Sequence, residues 1–294
     1  MRLFFAGLSI LFFLFMVNAV SAEKGPEITV LAFQKEKISF VNTDLSVRVS
    51  EIASLDPNFP GNELRTFQGA FIGDLVGKDV ESVTLLSEDQ YMAFFPMDFV
   101  REKGGLLAWS ENGRPISRAR GGPLKVIFEK KEKLHPSVNA WYVRALVPGK
   151  GQGVPLRLMK GDAVYPVSGD GVSESGMVFR HMLVPVPKGY RHTSPGHVGK
   201  QELRGFIVED LLKSKGLSFD ALTFKALAGR DLRLERNEVE GKEIFLFSHK
   251  DGVPLSVPCG GPWFLWVPPQ QYPQLAERLP NPDTLFFIHE IVLE

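Results

Sequence analysis

The 294-residue chain carries 34 Lys plus Arg against 34 Asp plus Glu, a formal net charge of zero, with 44% hydrophobic residues. The charge balance excludes the basic bias of a nucleic-acid protein, and the apolar content suffices for a core, which excludes global disorder. A single cysteine, Cys259, excludes an intramolecular disulfide, and the abundance of Gly (28), Pro (21) and Phe (23) predicts an α+β, β-rich fold with many turns and few long helices.

The chain opens with Met1 and the charge of Arg2, an apolar run from Leu3 to Val17, and small residues at Val20-Ser21-Ala22 ahead of Glu23 and Lys24. These are the three parts of a cleavable secretory signal peptide. The expectation is cleavage after Ala22 and a periplasmic or secreted mature protein. No cysteine near the cut offers a lipid attachment point. The apolar run is short for a span, and no later stretch reaches the roughly 20 residues a membrane helix needs, so no membrane span is expected after cleavage.

Two parts of the remaining chain read alike. Glu111–Phe128 (ENGRPISRARGGPLKVIF) and Lys250–Val267 (KDGVPLSVPCGGPWFLWV) share Gly, Pro, Ser, Gly, Gly and Pro in order, each pair 139 residues apart. Upstream, Thr84 and Val100 fall on Thr223 and Val239 at the same interval, and Gly69–Val76 (GAFIGDLV) resembles Gly205–Leu212 (GFIVEDLL) at a slightly different one. Downstream, Ala140–Leu146 resembles Leu285–Ile291. An internal duplication follows from this order. The Asp74-Leu75-Val76 and Asp210-Leu211-Leu212 stretches predict short amphipathic helices. Thr84–Phe95 predicts a hairpin. Leu232 and Leu234 alternate with charge, as on a strand with one wet face. Asn112-Gly113 and Asp251-Gly252 are tight-turn pairs, and LKVIF and WFLWV read as buried strands.

Between the copies, Leu146–Gly176 is rich in Gly and Pro but contains the apolar VPLRLM, which predicts the first strand of the second part. The expected division is a signal peptide at 1–22, a first domain at 23–150 and a second at 151–294, with the boundary near Gly149–Gly153. Pro185–Lys200 lacks periodicity and reads as a long loop.

Several residues stand out chemically. Arg114, Arg118 and Arg120 form a local basic cluster suited to a phosphate or carboxylate, although exposed arginines are common. Trp263 and Trp266 are three apart on a strand and so point to opposite faces, which leaves one for a partner or for the other domain. Cys259, beside Gly260 and aromatic strands with no neighbouring charge, reads as a buried hydrophobe more readily than as a reactive thiol. His181, His192 and His197 sit in or near one Gly/Pro loop without a fixed face, so no metal site is expected from them. Trp141, Tyr142, Phe286 and Phe287 read as aromatics of the closing strands, and Glu129–His135 as a solvated charged loop.

The ordered set of a Gly before a "DLL" helix, a Gly-x-Pro turn, a Gly-Gly-Pro entry to a strand and a closing aromatic strand resembles the molybdopterin-binding domain of the sulfite oxidase family. GAFIGDLV, NGRPISRARGGPLKVIF and AWYVRAL supply one version, and GFIVEDLL, DGVPLSVPCGGPWFLWVP and FFIHEI the other. The resemblance implies two tandem sulfite-oxidase-like domains. It also implies molybdopterin as cofactor, held through a cysteine thiolate just before the "DLL" helix. The matching windows, Pro60–Gln68 and Gly196–Arg204, contain no cysteine, and Cys259 falls at the position of Arg120, in another segment. Lys125 stands where the family often has an arginine near the pterin phosphate, and Phe264 stands there in the second copy. The sequence therefore predicts no bound cofactor and no catalytic residue. It describes a non-catalytic module that binds a small ligand or an envelope protein, such as a sensor or an oxidoreductase. A periplasmic molybdopterin oxidoreductase, or an accessory subunit of one, is the alternative.

Overall fold

The computed structural model describes residues 26–34, 37–56, 63–129, 139–169, 180–185, 200–280 and 283–294, the backbone alone at 47, 180–185 and 200–201. The signal-like segment, His192 and His197 lie outside the described residues, as does all of the 129–135 run except Glu129. The architecture is β-rich with a few short helices. The first half runs β1 (Glu27–Gln34), β2 (Lys37–Asp44), β3 (Ser50–Leu55), β4 (Leu64–Phe71), α1 (Ile72–Val76), β5 (Ser82–Ser87), β6 (Met92–Pro96), α2 (Met97–Glu102), β7 (Gly105–Glu111), β8 (Arg114–Pro115), β9 (Lys125–Phe128) and β10 (Val143–Pro148). The second half runs β11 (Leu156–Lys160), β12 (Ala163–Val167), β13 (Arg180–Pro185), β14 (Lys200–Ile207), α3 (Val208–Ser214), β15 (Ala221–Ala226), β16 (Leu232–Glu235), α4 (Arg236–Val239), β17 (Phe245–Lys250), β18 (Val253–Pro254), β19 (Trp263–Trp266) and β20 (Thr284–Leu293), with α5 (Pro273–Ala276) inserted before the last strand.

Pairing follows one scheme in both halves. β1 and β11 form antiparallel hairpins with β2 and β12, and lie parallel to β10 and β20. β5 and β15 join β10 and β20 to β6 and β16. β4 and β14 run between β3 and β7, and between β13 and β17. The first half forms two sheets, β2-β1-β10-β5-β6 and β3-β4-β7-β8 with β9 on β7. In the second half β19 pairs with β20, so the corresponding strands join into one ten-stranded sheet.

Local chemistry repeats with the pairing. Both β4 and β14 bulge immediately before a glycine, Gly69 and Gly205. A Cβ at Gly69 would overlap the carbonyl oxygen of Leu107, and one at Gly205 that of Leu246, so only hydrogen fits where the strands press together. Asn112 and Asp251 each adopt positive φ (50° and 49°) before Gly113 and Gly252. Their side chains accept the N–H of Thr66 and of Glu202, which ties each turn to the neighbouring strand. Further on, Gly121 and Gly260 are left-handed (φ 91° and 86°), and the rings of Trp141 and Phe286 lie where a Cβ would project. The next peptide, Gly122-Pro123 or Gly261-Pro262, is cis. Trp141 and Tyr142 precede β10 rather than lying in it, and Tyr142 and Phe287 both take positive φ (53° and 65°) where the chain turns over the glycine.

The strands separate three layers of side chains. In β19, Trp263 and Leu265 enter the core of the second half, whereas Phe264 and Trp266 enter a central layer. In β10, Val143 and Leu146 enter the core of the first half, whereas Ala145 and Val147 reach the same central layer. Phe245, Phe247, Phe264, Trp266 and Phe286 there meet Leu31, Leu86, Ala145 and Val147 of the first half. Strands covered on both faces cannot alternate apolar with polar, which is why β17 and β19 are buried at every position. The facing registers are asymmetric. Ala145 sits between Thr29 and Leu86, but Glu290 sits between Arg157 and Lys225 and pairs with both, at 3.1 and 3.5 Å. The sheet of the first half is thus apolar where it is covered, and the corresponding face of the second is charged.

Gly205→Ala is expected to destabilise the fold by more than about 2 kcal/mol, because the overlapped atom is backbone and has no rotamer to change. Gly73→Ala, whose added Cβ meets its nearest neighbour at 3.7 Å, is expected to be neutral or slightly stabilising. Urea denaturation of both variants checks the contrast.

Candidate functional site

Two regions gather the chemistry-bearing side chains. The first lies on the face of β7 and β9 that corresponds to the aromatic face of β17 and β19. Ile52, Phe67, Leu106, Ala108, Ile116 and Ile127 form a small buried cluster there. Lys125 opens β9 beside it and is fully buried, its Nζ 2.5 Å from Asp56 Oδ2, 3.2 Å from Arg120 O and 5.2 Å from the Phe67 ring centre. Arg120 donates through Nε and an Nη to the two oxygens of Glu111 at 2.6 and 2.7 Å, and lies 3.4 Å from Asp56. Arg65 donates to Glu111 at 2.7 Å. Burial draws the Lys125 ammonium below its usual pKa, against the bond to Asp56. For Glu111, burial works against ionisation, but the bonds from Arg120 and Arg65 outweigh it and hold the carboxyl below the ordinary carboxylate range. The cluster is a network of paired charges within the chain.

The other expected cations divide. Arg118 donates both terminal nitrogens to Glu88 at 3.2 Å, shares that carboxylate with Arg144, and lies 4.9 Å over the Tyr142 ring. The bond from Arg118 lowers the pKa of Glu88 against its burial, with Arg144 adding to the effect. Arg114 is exposed in the turn that carries Asn112-Gly113. Arg118, Arg120 and Lys125 are therefore each engaged with a carboxylate of the chain. The tryptophans do point apart. Trp263 stacks on Phe206 in the core of the second half and donates to Val154 O at 3.3 Å, whereas Trp266 lies against Phe245 and Phe247 in the central layer. Among the described residues no three His, Cys, Asp or Glu side chains converge as metal ligands would.

The second region is a cleft of about 380 Å³ between the halves. Phe94 on β6 and Lys150 and Gln152 of the connecting segment form one wall, and Val253, Ser256 and Cys259 lie on the other. Its base is fixed by backbone. Val257 N–H donates to the carbonyls of Lys150 and Gly151 at 2.9 and 3.0 Å, and Gln152 bridges to Ser256. Cys259 ends the helical turn 257–259 and is half-buried against the central layer. Phe94 and Val253, one on each wall, leave 39% and 57% of their surface exposed. Sequence reasoning selected Cys259 but not the cleft, because Phe94, Lys150 and Val253 carry no motif and meet only through packing.

His289 marks the seam elsewhere. Its ring lies 5.4 Å from that of Phe40, which β2 brings across from the first half. Burial lowers its pKa from 6.5 to about 4, with Glu290 and Asp231 pulling it up and Arg157 and Lys225 pulling it down.

No family model matches the chain, and no curated relative does. Among solved structures, the sulfane dehydrogenase SoxCD from Paracoccus pantotrophus is similar with a TM-score of 0.31 and 11% identity, over 75% of this chain and 65% of that one. This chain thus spans just under two thirds of that protein's length. No helix among the described residues is long and apolar enough to cross a membrane.

Lys125→Met removes the closest partner of the buried Asp56, leaving Arg120 at 3.4 Å, and is expected to lower stability by about 2 to 3 kcal/mol, whereas the double variant with Asp56→Asn recovers part of the loss, as read from urea unfolding. A second expectation concerns pH. The folded pKa of His289 lies below its unfolded value, so its contribution is complete above pH 6.5 and is lost as pH falls toward about 4. The stabilities of the native protein and a His289→Phe variant, compared at pH 7 and pH 4.5, are expected to show that slope in the former and a flatter one in the latter.

Proposed function

We propose that the chain is an exported, non-catalytic binding module. In this reading it is made of two tandem copies of one sulfite-oxidase-like domain and seats a small ligand in the cleft between them. The observation that carries the binding reading is the cleft itself. Its walls come from both halves, its base is cross-bonded by backbone, and exposed apolar side chains face it from either side. Small-molecule sites favour such junctions between domains. The duplication is supported by the common element order, the common pairing scheme and the matched bulge glycines Gly69 and Gly205. Export is supported by the charged, apolar and small-residue segments of the first 22 residues.

The chain's residues do not fit a molybdopterin of the kind this fold family implies. Soft thiolate ligation needs a cysteine, and the sole cysteine, Cys259, ends a turn beside the cleft rather than preceding α1 or α3. The cation that would meet a phosphate, Lys125, is fully buried on Asp56, and Phe264 fills the corresponding place in the central layer. Elemental and pterin analysis of protein exported natively from a molybdenum-replete host is expected to find both far below one per chain. Near-stoichiometric molybdenum would sink the non-catalytic reading and make the chain an oxidoreductase.

A further inference from the structure

We infer that β2 is a docking edge for a second copy of this chain, whose own β2 adds to it antiparallel across a two-fold axis. β2 ends the sheet β2-β1-β10-β5-β6, and among the described residues no strand pairs with its outer side. Leu45 N–H donates to Pro26 O at 2.9 Å, so these two form a hydrogen-bonded pair. From the next pair, Glu27 and Asp44, the ladder runs without a bulge to Gln34 and Lys37. Bonded and non-bonded pairs alternate along an antiparallel ladder. The odd-numbered residues of β2 therefore turn their backbone groups toward β1, and Ile38, Phe40 and Asn42 turn theirs outward. Proteins blunt open edges with short strands, bulges, charge or proline. β2 has eight residues, the longest edge strand among the described residues, and carries neither charge nor proline from Ile38 to Thr43. The corresponding edge of the second half, β12, has five residues and contains Pro166, which offers no N–H to a further strand.

The side chains make this edge complementary to itself. Phe40 and Val41, in the middle of β2, point to opposite faces and leave 48% and 55% of their surface exposed. The two ends differ in charge. Lys37 is exposed and has no carboxylate partner among the described residues, and Asp44 caps the turn at 45–48 by accepting Ser46 N–H at 2.8 Å. Parallel addition sets Lys37 beside its own copy. Antiparallel addition brings each Lys37 to the Asp44 end of the other strand. With the axis at Phe40, Ile38 meets Asn42 of the second copy, and the outward N–H and C=O groups of all three residues find partners. The two Phe40 rings then lie side by side, an aromatic cross-strand pair. The contact is isologous and uses both β2 edges, so assembly stops at two copies.

The test is sedimentation velocity of the mature chain from about 1 μM to about 1 mM, because a single strand pair belongs to the small, transient class of interface below about 1,200 Å². Val41→Lys puts a charge in the middle of the edge. Asn42→Pro removes an outward N–H and leaves the β1 ladder intact, losing one exposed bond from Thr29 Oγ1. Val164→Lys, on the exposed face of β12, is the control. Thermal unfolding verifies that each variant remains folded. The native chain is expected to pass from monomer to dimer across the series. Both β2 substitutions are expected to raise the dissociation constant about tenfold or more, and the control to leave it within about twofold. Monomer at every concentration would overturn the inference. So would a dimer that neither β2 substitution weakens, which places the interface elsewhere, and so would growth beyond two copies, which a closed two-fold contact does not allow.

Discussion

The structure depends on one apolar contact, the layer in which the aromatic face of β17 and β19 meets the outer face of β1, β5 and β10. Phe245, Phe247, Phe264 and Trp266 are too large to be left in water, and Leu31, Leu86, Ala145 and Val147 supply the surface that covers them. The contact sets the separation of the halves. It also brings β6 of the first half up to the Val257–Cys259 turn of the second, and the cleft is the space left beside that approach.

The same strand positions meet different demands in the two halves. On β9, the face corresponding to Phe264 and Trp266 carries Lys125 and Ile127. A buried ammonium is tolerable only with a partner, and Asp56 at 2.5 Å provides one. Arg120 and Arg65 close on Glu111 around it, so the charges that a motif reading assigns to an external anion are satisfied within the fold. The outer sheet faces diverge in the opposite sense. Ala145 in the first half corresponds in register to Glu290 in the second, where Arg157 and Lys225 flank it. A charged face does not stack on another apolar sheet, so the packing that joins the first half to the second is not offered again by the second half.

Much of the local structure was legible in the residues. The Thr84–Phe95 hairpin, the short helices at Asp74 and Asp210, the tight turns at Asn112-Gly113 and Asp251-Gly252, and the buried strands after each Gly-Gly-Pro all follow from short-range rules of period and turn chemistry. The run from Arg230 to Val239 was only half legible. Leu232 and Leu234 form a strand, but a capping box between Glu235 and Glu238 ends it and starts α4. Of the closing aromatics, Phe286 and Phe287 do lie in β20, whereas Trp141 and Tyr142 precede β10. Tyr142 and Phe287 turn through positive φ so that Trp141 and Phe286 can lie on Gly121 and Gly260, and that close contact is invisible to a periodicity argument.

The sequence by itself determined the β-rich character, the internal likeness at a spacing of 139 residues, the absence of a cysteine before either "DLL" helix, and the opposed directions of Trp263 and Trp266. These depend on composition, on the two-residue period of a strand and on steric limits at glycine and proline, all of which act over a few residues. Only the tertiary structure decided that Asp56, 69 residues before Lys125, neutralises it, that Trp266 faces the other half, and that Phe94 and Lys150 stand across a cleft from Val253 and Cys259. Each of those outcomes depends on which surface finds a partner when the halves pack, and burial and charge pairing between distant segments leave no periodic trace in the chain.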